Sequence, residues 1–183
     1  PRRSSDLLRR FGVDIWAFAG DRWLASDGTG AYVDKEVRTI LVQPTIVARP
    51  EDHLDGVAKI VGVSADFERL NACAPVARQA LGDRAVVARS QAYYLDITPA
   101  GTDKGVFVSE MRRRLNVPTA EIVTIGDMEN DLPMFRQGGF SIAMGNATPE
   151  VARAADARTL SNDEDGFAAA VEALILPRAG AAV

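Results

Sequence analysis

The sequence has 183 residues, of which 47% are hydrophobic and 25% charged, a composition typical of a globular protein with a packed core. Its 21 basic and 25 acidic residues give a net charge of −4, which argues against a surface for nucleic acid or anionic membranes. The single cysteine, Cys73, excludes an internal disulfide and predicts a reducing, cytoplasmic setting, and no apolar run approaches the roughly 18 residues of a membrane span.

The chain begins with a helix-like and then a strand-like pattern. Apolar residues within 2–11 recur at helical spacing, and the run Val13–Ala19 reads as a buried strand that ends at Gly20. We assign residues 1–19 to an α/β core, as a helix and a strand that belong with the C-terminal part of the chain.

Residues 20–94 are rich in strand and turn signals and contain few helical patterns. We expect a hairpin turn at Asp27-Gly28, followed by a strand over residues 36–43. A long helix follows later, with a break or kink expected at Pro75. This composition predicts an α+β domain inserted into the chain.

Residues 95–183 alternate between short strands and helices. The near-continuously apolar strand Ile122–Ile125 is typical of a parallel sheet that is covered on both faces. In the helix before it, Phe107, Met111 and Leu115 lie on one stripe. The alternation predicts right-handed βαβ units, and hence an α/β fold with a doubly wound parallel sheet.

Four polar side chains crowd the turn after that strand: Asp127, Glu129, Asn130 and Asp131. Ligands of open α/β sheets bind beyond the carboxyl ends of the strands, which is where Asp127 stands. Carboxylate oxygens there suit a hard cation such as Mg²⁺, with Asp127 and Asp131 as its ligands. The alternative is a solvated turn in which Asn130 or Asp131 caps the next helix.

Lys104 begins the helix one βα unit earlier, so we expect its ammonium group at the same edge of the sheet. A lysine beside strand-end carboxylates is best satisfied by an anion between them. A phosphate that is bound by Mg²⁺ on one side and by Lys104 on the other meets both requirements. The alternative is a surface lysine that pairs with Asp103.

These residues lie in runs that resemble a known family. The runs "DITPAGTDKG", "VTIGDMENDLPMF" and "SIAMGNATPEVARAADARTLSNDEDGFAAAV" are similar to the C-terminal half of haloacid dehalogenase superfamily phosphatases of the Cof type. The lysine matches that family's third motif and "GDMEND" its fourth. The resemblance covers residues 93–183, and residues 20–94 more loosely resemble the α/β cap that this branch inserts between its second and third motifs.

The resemblance implies a phosphatase that acts on small phosphorylated metabolites such as sugar phosphates or nucleotide-like compounds. In that family, an aspartate attacks phosphorus and forms an aspartyl-phosphate that water then cleaves. By position, Lys104 would hold the nucleophile and the phosphate together, and Asp127 would ligate Mg²⁺. Asn130 would contact the phosphate or a metal-bound water, and Asp131 would orient Lys104 or support the metal shell.

The family's first motif is a strand that ends in Asp-x-Asp, usually followed by Gly-Thr. One run, Asp27-Gly28-Thr29, resembles it, but the alignment puts Ala25 where the nucleophile belongs. We interpret this run as a hairpin turn. The nucleophile and the Thr or Ser of the second motif are therefore expected to be absent from these 183 residues, and this chain alone is expected to be inactive.

Two other functions stay open at this point, as do the oligomeric state and the cap residues that contact a substrate. A phosphomutase of the same superfamily would share the half-site and would need arginines for a second phosphate, for which Arg49, Arg69 and Arg89 are candidates. A binding module that keeps the fold without catalysis is the second alternative. The phosphorylation domain of a cation pump is disfavoured because the sequence has no transmembrane run.

Overall fold

The structure is a computed structural model that describes residues 2–53 and 55–180. The chain divides into two compact units, Pro1–Gly101 and Thr102–Val183. This division differs from the predicted domains 1–19, 20–94 and 95–183. The predicted end points at residues 1 and 183 lie outside the described part of the chain.

The first unit is built on a six-stranded sheet with the strand order β3-β2-β1-β4-β6-β5. Neighbouring strands are antiparallel except β2 and β3, which are parallel. The strands are β1 (Asp14–Ala19), β2 (Arg22–Ala25), β3 (Thr45–Ile46), β4 (Val57–Val63), β5 (Ala85–Gln91) and β6 (Tyr94–Pro99). The helices are α1 (Arg2–Arg10), α2 (Val33–Ile40) and α3 (Phe67–Leu81), and α3 runs through Pro75 without a break. This architecture confirms the predicted α+β character of the strand-rich segment.

Strand β1 lies inside this sheet, which corrects the assignment of residues 1–19 to the α/β core. It pairs antiparallel with both β2 and β4, with Trp16 opposite Val61. Helix α1 packs on the same sheet so closely that a β-carbon at Gly62 would lie 2.7 Å from Leu8 Cδ2. A central antiparallel strand that is covered on both faces reads in sequence like a parallel one, because both are nearly all apolar.

Each face of the six-stranded sheet has its own apolar core. Helices α1 and α3 contribute to one cluster, which includes Leu8, Ile15, Leu70 and Leu95. An aromatic cluster around Trp16, Trp23 and Tyr94 forms the other, and α2 contributes Val33, Val37 and Ile40 to it. Burial of both faces explains how a sheet with this much apolar surface is stable as part of one compact unit.

The predicted hairpin at Asp27-Gly28, and the strand expected after it, are wrong. The hairpin lies one element earlier, between β1 and β2, where Gly20 adopts a positive φ of 60°. Residues 33–40 form helix α2 instead of a strand. The error has a physical cause. In a helix, an apolar residue recurs at every third or fourth position, and over a run as short as α2 this spacing is hard to distinguish from the alternation of a strand.

The second unit has three parallel strands in the order β7-β8-β9, and this confirms the predicted α/β fold with a parallel sheet. The strands are β7 (Val123–Gly126), β8 (Phe140–Ala143) and β9 (Ala157–Arg158). The helices are α4 (Lys104–Leu115), α5 (Leu132–Phe135), α6 (Pro149–Ala154), α7 (Gly166–Ala170) and α8 (Leu176–Gly180), with the π-helical segment Val171–Ile175 between the last two. Since helices alternate with strands, the carboxyl ends of all three strands meet at one edge.

The apolar stripe predicted on α4 exists, but it is not buried. Phe107 is 65% exposed and Leu115 is 64% exposed, whereas Met111 is half-buried. Within the second unit, α4 packs mainly against α5. A closely packed glycine mediates that contact, because a β-carbon at Gly105 would lie 2.6 Å from the carbonyl oxygen of Pro133.

A buried serine joins the middle strand of the parallel sheet to the loop before β9. One oxygen of Asp156, Oδ2, accepts hydrogen bonds from Ser141 N at 2.8 Å and from Ser141 Oγ at 2.7 Å. Ser141 Oγ in turn accepts one from Asp156 N at 3.1 Å. The hydrogen bonds from Ser141 hold the pKa of the Asp156 carboxyl below its usual value.

We expect Asp156→Asn to destabilise the protein at neutral pH and to have a smaller effect in acid. A carboxyl whose pKa is depressed by folding contributes stability above its unfolded pKa of about 3.9, and this stability is lost as the pH falls through the folded pKa. Urea denaturation at pH 7 and near pH 3 measures the difference between variant and wild type. Asp83→Asn, at an exposed carboxyl, is the control, and an equal loss for Asp156→Asn at both pH values would contradict the prediction.

Candidate active site at the carboxyl edge of the parallel sheet

The loops that follow the three parallel strands are joined by backbone hydrogen bonds. Met144 N donates to Gly126 O at 2.9 Å and so links the loop after β8 to the end of β7. Gly145 N donates to Leu160 O at 2.9 Å and links the same loop to the chain after β9. The side chains at these strand ends therefore project from a connected backbone, which restricts their relative motion.

Asp131 is the centre of the polar cluster at this edge. Its side chain is only 4% exposed, and Oδ1 accepts a hydrogen bond from Lys104 Nζ at 2.5 Å. Its other oxygen, Oδ2, accepts from the backbone N–H groups of Asp127 at 2.9 Å and Met128 at 3.0 Å. A nearly buried carboxylate needs such donors, because an unpaired charge is costly to remove from water. Three donors, one of which is the positively charged Lys104, meet that need here.

The sequence around Lys104 determines where its ammonium group lies. Asp103 caps helix α4, since its Oδ1 accepts a hydrogen bond from Val106 N at 2.8 Å, and Lys104 becomes the first residue of the helix. Lys104 pairs with Asp131 across 27 residues, so the predicted alternative of a pair with Asp103 is wrong. The strand before Lys104, β6, lies in the antiparallel sheet and not in the parallel sheet, which corrects the expectation that Lys104 follows a strand of the parallel sheet. The Lys104 side chain remains 50% exposed, so the ammonium group is accessible from solvent.

Asp127, the other predicted acid, is held by an asparagine from the next loop. Asn146 Nδ2 donates to Asp127 Oδ2 at 2.7 Å, and Asn146 Oδ1 accepts from the backbone N–H of Asn162 at 3.0 Å. We did not predict Asn146 as a site residue. A signal for it exists in the sequence, because it closely follows a parallel strand, as Asp127 does.

The predicted capping of the next helix is not observed, because Asp131 stands at the N-cap position of α5 without a side-chain cap hydrogen bond. Residues Glu129–Asp131 form a 3₁₀ turn, and Asp131 closes a capping interaction with Met128 N. Asp131 thus caps this turn and pairs with Lys104 at the same time. Asn130 makes no such cap: its Oδ1 is buried and has no hydrogen-bond partner among the described residues.

The donor atoms at this edge fit part of a magnesium site. Within residues 2–53 and 55–180, no three side chains of His, Cys, Asp or Glu form a metal-binding group. Mg²⁺ does not require one, since it usually takes one or two carboxylates and completes its shell with water and substrate phosphate. Asp127 has one carboxylate oxygen committed to Asn146, and the buried Asn130 Oδ1 lacks a donor. The other carboxylate oxygen of Asp127 and the Oδ1 of Asn130 are hard oxygen atoms of the kind that Mg²⁺ prefers.

The turn also requires a glycine at the end of β7. A β-carbon at Gly126 would lie 2.5 Å from Asp131 Cβ and 2.6 Å from Asp131 Cγ. Such distances are well inside van der Waals contact, so any larger residue would push the Asp131 side chain away. The short approach lets the carboxylate reach the N–H groups of Asp127 and Met128.

We expect Gly126→Ala to lower the stability of the protein by about 1–3 kcal/mol, the usual cost of overpacking a tightly packed position. The reason is steric, because the added methyl group displaces Asp131 from its three donors. Chemical denaturation measures the loss. Gly30→Ala is the matched control, since a β-carbon there meets its nearest neighbour at an ordinary 3.6 Å. An unchanged denaturation midpoint for Gly126→Ala would show that the turn can adjust.

Comparisons with known proteins identify relatives of this chain. The sequence profile of a family described as haloacid dehalogenase-like hydrolase matches residues 2–171. "Putative phosphatase YxeH" from Bacillus subtilis (strain 168) is 36% identical over 96 residues, which cover 52% of this chain and 36% of that protein. "5-amino-6-(5-phospho-D-ribitylamino)uracil phosphatase YwtE" from the same organism is 30% identical over 123 residues, 66% of this chain and 42% of that protein.

A solved structure is similar over most of the chain. The crystal structure of a haloacid dehalogenase-like hydrolase from Bacteroides thetaiotaomicron matches with a TM-score of 0.70 and 31% sequence identity, and the match covers 91% of this chain and 63% of that one. The chain thus spans less than two thirds of each of these three proteins. Among the residues that the structure describes, no helix is both long and apolar enough to cross a bilayer.

Proposed function

The chain belongs to the haloacid dehalogenase-like hydrolase family, and we propose that the complete protein is a Mg²⁺-dependent phosphatase that acts on small phosphorylated metabolites. The observation that carries this proposal is the position of Asp131, whose two oxygens hold the Lys104 ammonium group and the backbone of Asp127. One carboxylate thereby brings a cation and a metal-binding acid together at the edge where α/β enzymes bind ligands.

The charges at this edge suit phosphoryl transfer. A carboxylate that attacks a phosphate dianion meets like-charge repulsion, and a fixed ammonium group offsets it. Lys104 has three N–H donors and uses one on Asp131, so two are left for phosphoryl oxygens or for the attacking carboxylate. Mg²⁺, when bound, would place a further positive charge beside the phosphoryl oxygens, and Asp127 is the residue that would hold the ion.

We assign Asp131 and Asn130 different parts in this mechanism. Both oxygens of Asp131 already accept hydrogen bonds, one of them from Lys104, which favours its role of orienting that lysine over direct metal ligation. The buried, unpaired Oδ1 of Asn130 is suited to accept from a metal-bound water. Lys104 and Asp127 are thus the residues that would contact the reacting groups.

The attacking aspartate is proposed to lie outside these 183 residues. The one run that resembles the first motif belongs to the six-stranded sheet, where Ala25 ends β2 and carries no carboxylate. The nearby Asp27 is engaged in its own turn, since Oδ1 accepts from Thr29 N at 2.7 Å and from Thr29 Oγ1 at 2.8 Å. The aspartyl-phosphate intermediate would therefore form on a residue of the complete polypeptide that this sequence does not contain.

Sugar phosphates and similar compounds are the proposed substrates. YwtE, the relative that is 30% identical, is named for a substrate with a phosphorylated ribityl group, which supports a substrate of this size and polarity. Choice among such substrates is proposed to rest with the cap, which is predicted over residues 20–94 and whose sheet in the structure also includes β1. Hydrolysis of a panel of sugar phosphates and nucleotides by the complete protein tests the class.

The phosphomutase alternative needs arginines for a second phosphate, and the three candidates have protein partners. Arg49 Nε lies 3.2 Å from Glu51 Oε1, and Arg69 NH1 donates to Gly12 O at 2.8 Å. Arg89 NH1 donates to Asn71 at 2.7 Å. Since each guanidinium group already has a partner within the first unit, we favour the phosphatase over the phosphomutase.

Asp127→Asn in the complete protein should reduce Mg²⁺-dependent hydrolysis of p-nitrophenyl phosphate by about 100-fold or more, a loss typical of removing an electrostatic contact in an active site. The amide can still accept the hydrogen bond from Asn146, so the fold should be retained and the thermal midpoint should change little. Glu121→Gln, at an exposed carboxyl just before β7, is the control. Activity within a few-fold of wild type would exclude Asp127 as a metal ligand.

Lys104→Met should lower kcat by about 100- to 1,000-fold, because the transferred phosphoryl group loses a fixed positive charge. Lys104→Arg should also be impaired, since a planar guanidinium group cannot occupy the place of a compact ammonium group beside Asp131. Steady-state kinetics with p-nitrophenyl phosphate, together with denaturation midpoints, separates loss of catalysis from loss of stability. A fully active Arg variant would contradict the proposed role of Lys104.

A further inference from the structure

We infer that Asn146 is a positioning residue that orients the Asp127 carboxylate and thereby sets the affinity of the protein for Mg²⁺. The inference rests on the proposed function, in which Asp127 holds the metal. The structure shows a direct contact, since Asn146 Nδ2 donates to Asp127 Oδ2 at 2.7 Å. Asn146 itself need not touch the metal or the phosphate.

The Asn146 amide can make this contact in only one orientation. Its Oδ1 accepts from the backbone N–H of Asn162 at 3.0 Å while its Nδ2 faces the Asp127 carboxylate. A flipped amide would set an oxygen against a carboxylate and an NH₂ group against an N–H, which loses both hydrogen bonds. The main chain after β9 thus determines that a donor points at Asp127.

The loops around Asn146 hold it at a defined place. Gly145 N donates to Leu160 O at 2.9 Å, and a β-carbon at Gly145 would lie 2.6 Å from Ser161 N. Thr148 N reaches back to the carbonyl oxygen of Asp127 at 3.4 Å. Asn146 therefore lies between two main-chain links, and its side chain bridges the ends of β7 and β9.

The bond to Asn146 decides which oxygen of Asp127 is available. The terminal torsion of an aspartate is broad, so an unheld carboxylate samples many orientations. With Oδ2 committed to Asn146, Oδ1 is the oxygen that is left for a cation, and it is held in one direction. Hydrogen bonds to ligating carboxylates commonly contribute 10- to 100-fold to metal affinity. Because Asn146 is exposed and water can partly replace it, we expect the lower end of that range.

Three variants of the complete protein test this inference. Asn146→Ala removes the donor to Asp127. Asn162→Pro removes the N–H that orients Asn146, at the first residue of a 3₁₀ turn, where proline is tolerated, and after an extended Ser161. Asn162→Ala is the matched control, because it deletes a side chain but keeps the N–H.

Mn²⁺ binding measured by electron paramagnetic resonance, with Mg²⁺ as the competitor, gives metal affinity independently of activity. We expect about tenfold weaker binding for Asn146→Ala, a loss of a few-fold for Asn162→Pro and wild-type binding for Asn162→Ala. The Mg²⁺ dependence of p-nitrophenyl phosphate hydrolysis should shift in parallel, with kcat recovering at saturating Mg²⁺. A purely structural role would instead lower kcat and the thermal midpoint at every Mg²⁺ concentration, and that result would overturn the inference.

The two proposals fail in different ways. A wild-type protein that binds Mg²⁺ and hydrolyses phosphate esters, with Asn146→Ala equal to it within twofold in affinity, would overturn the role of Asn146 alone. A wild-type protein that neither binds Mg²⁺ nor hydrolyses these esters would overturn the proposed function and this inference with it.

Discussion

A single buried carboxylate, that of Asp131, organises the polar edge of the parallel sheet. Because its side chain is 4% exposed, it must be matched by donors within the protein, and three are supplied by Lys104, Asp127 and Met128. Burying a charge is costly, and the surrounding structure is arranged to supply hydrogen bonds to this carboxylate. A glycine stands at the end of β7 so that Asp131 can approach, and the turn after it is tight enough for two successive N–H groups to converge on one oxygen.

The opposite charge of Lys104 is placed by the start of a helix. Asp103 takes the cap, so the lysine falls in the first turn, where a cation is unfavourable with respect to the helix dipole. The pairing with Asp131 compensates for that position and holds the ammonium group beside the strand ends. A surface lysine could have paired with the neighbouring Asp103, whereas this one pairs with Asp131.

Much of this site could be predicted from sequence, because two simple rules apply to it. Strand ends of a parallel sheet share an edge, and charged residues there are conspicuous, so Asp127 and Asp131 could be placed before any coordinates. The placement of Lys104 with them rests on a wrong premise, because the strand before it, β6, belongs to the antiparallel sheet of the first unit. Asn146 has the same kind of position, but an uncharged amide that precedes a Thr-Pro helix start attracts no notice as a ligand-binding residue. The errors in the first unit have another source. Apolar runs such as β1, and short helices such as α2, look alike in sequence until tertiary contacts show which faces are buried.

The loops after β7, β8 and β9 are linked to one another, and this bears on how the polar edge is encoded along the chain. Lys104, Asp127, Asp131, Asn146 and Asn162 all lie in the second unit, and none of them lies in the six-stranded sheet. Contacts between elements that are near each other in sequence close short loops, and short loops form readily during folding. The charged edge is thus encoded within one continuous stretch of the polypeptide. Substitutions in the strand-rich segment can therefore change the chemistry that it presents while leaving the residues that hold the charges unaltered.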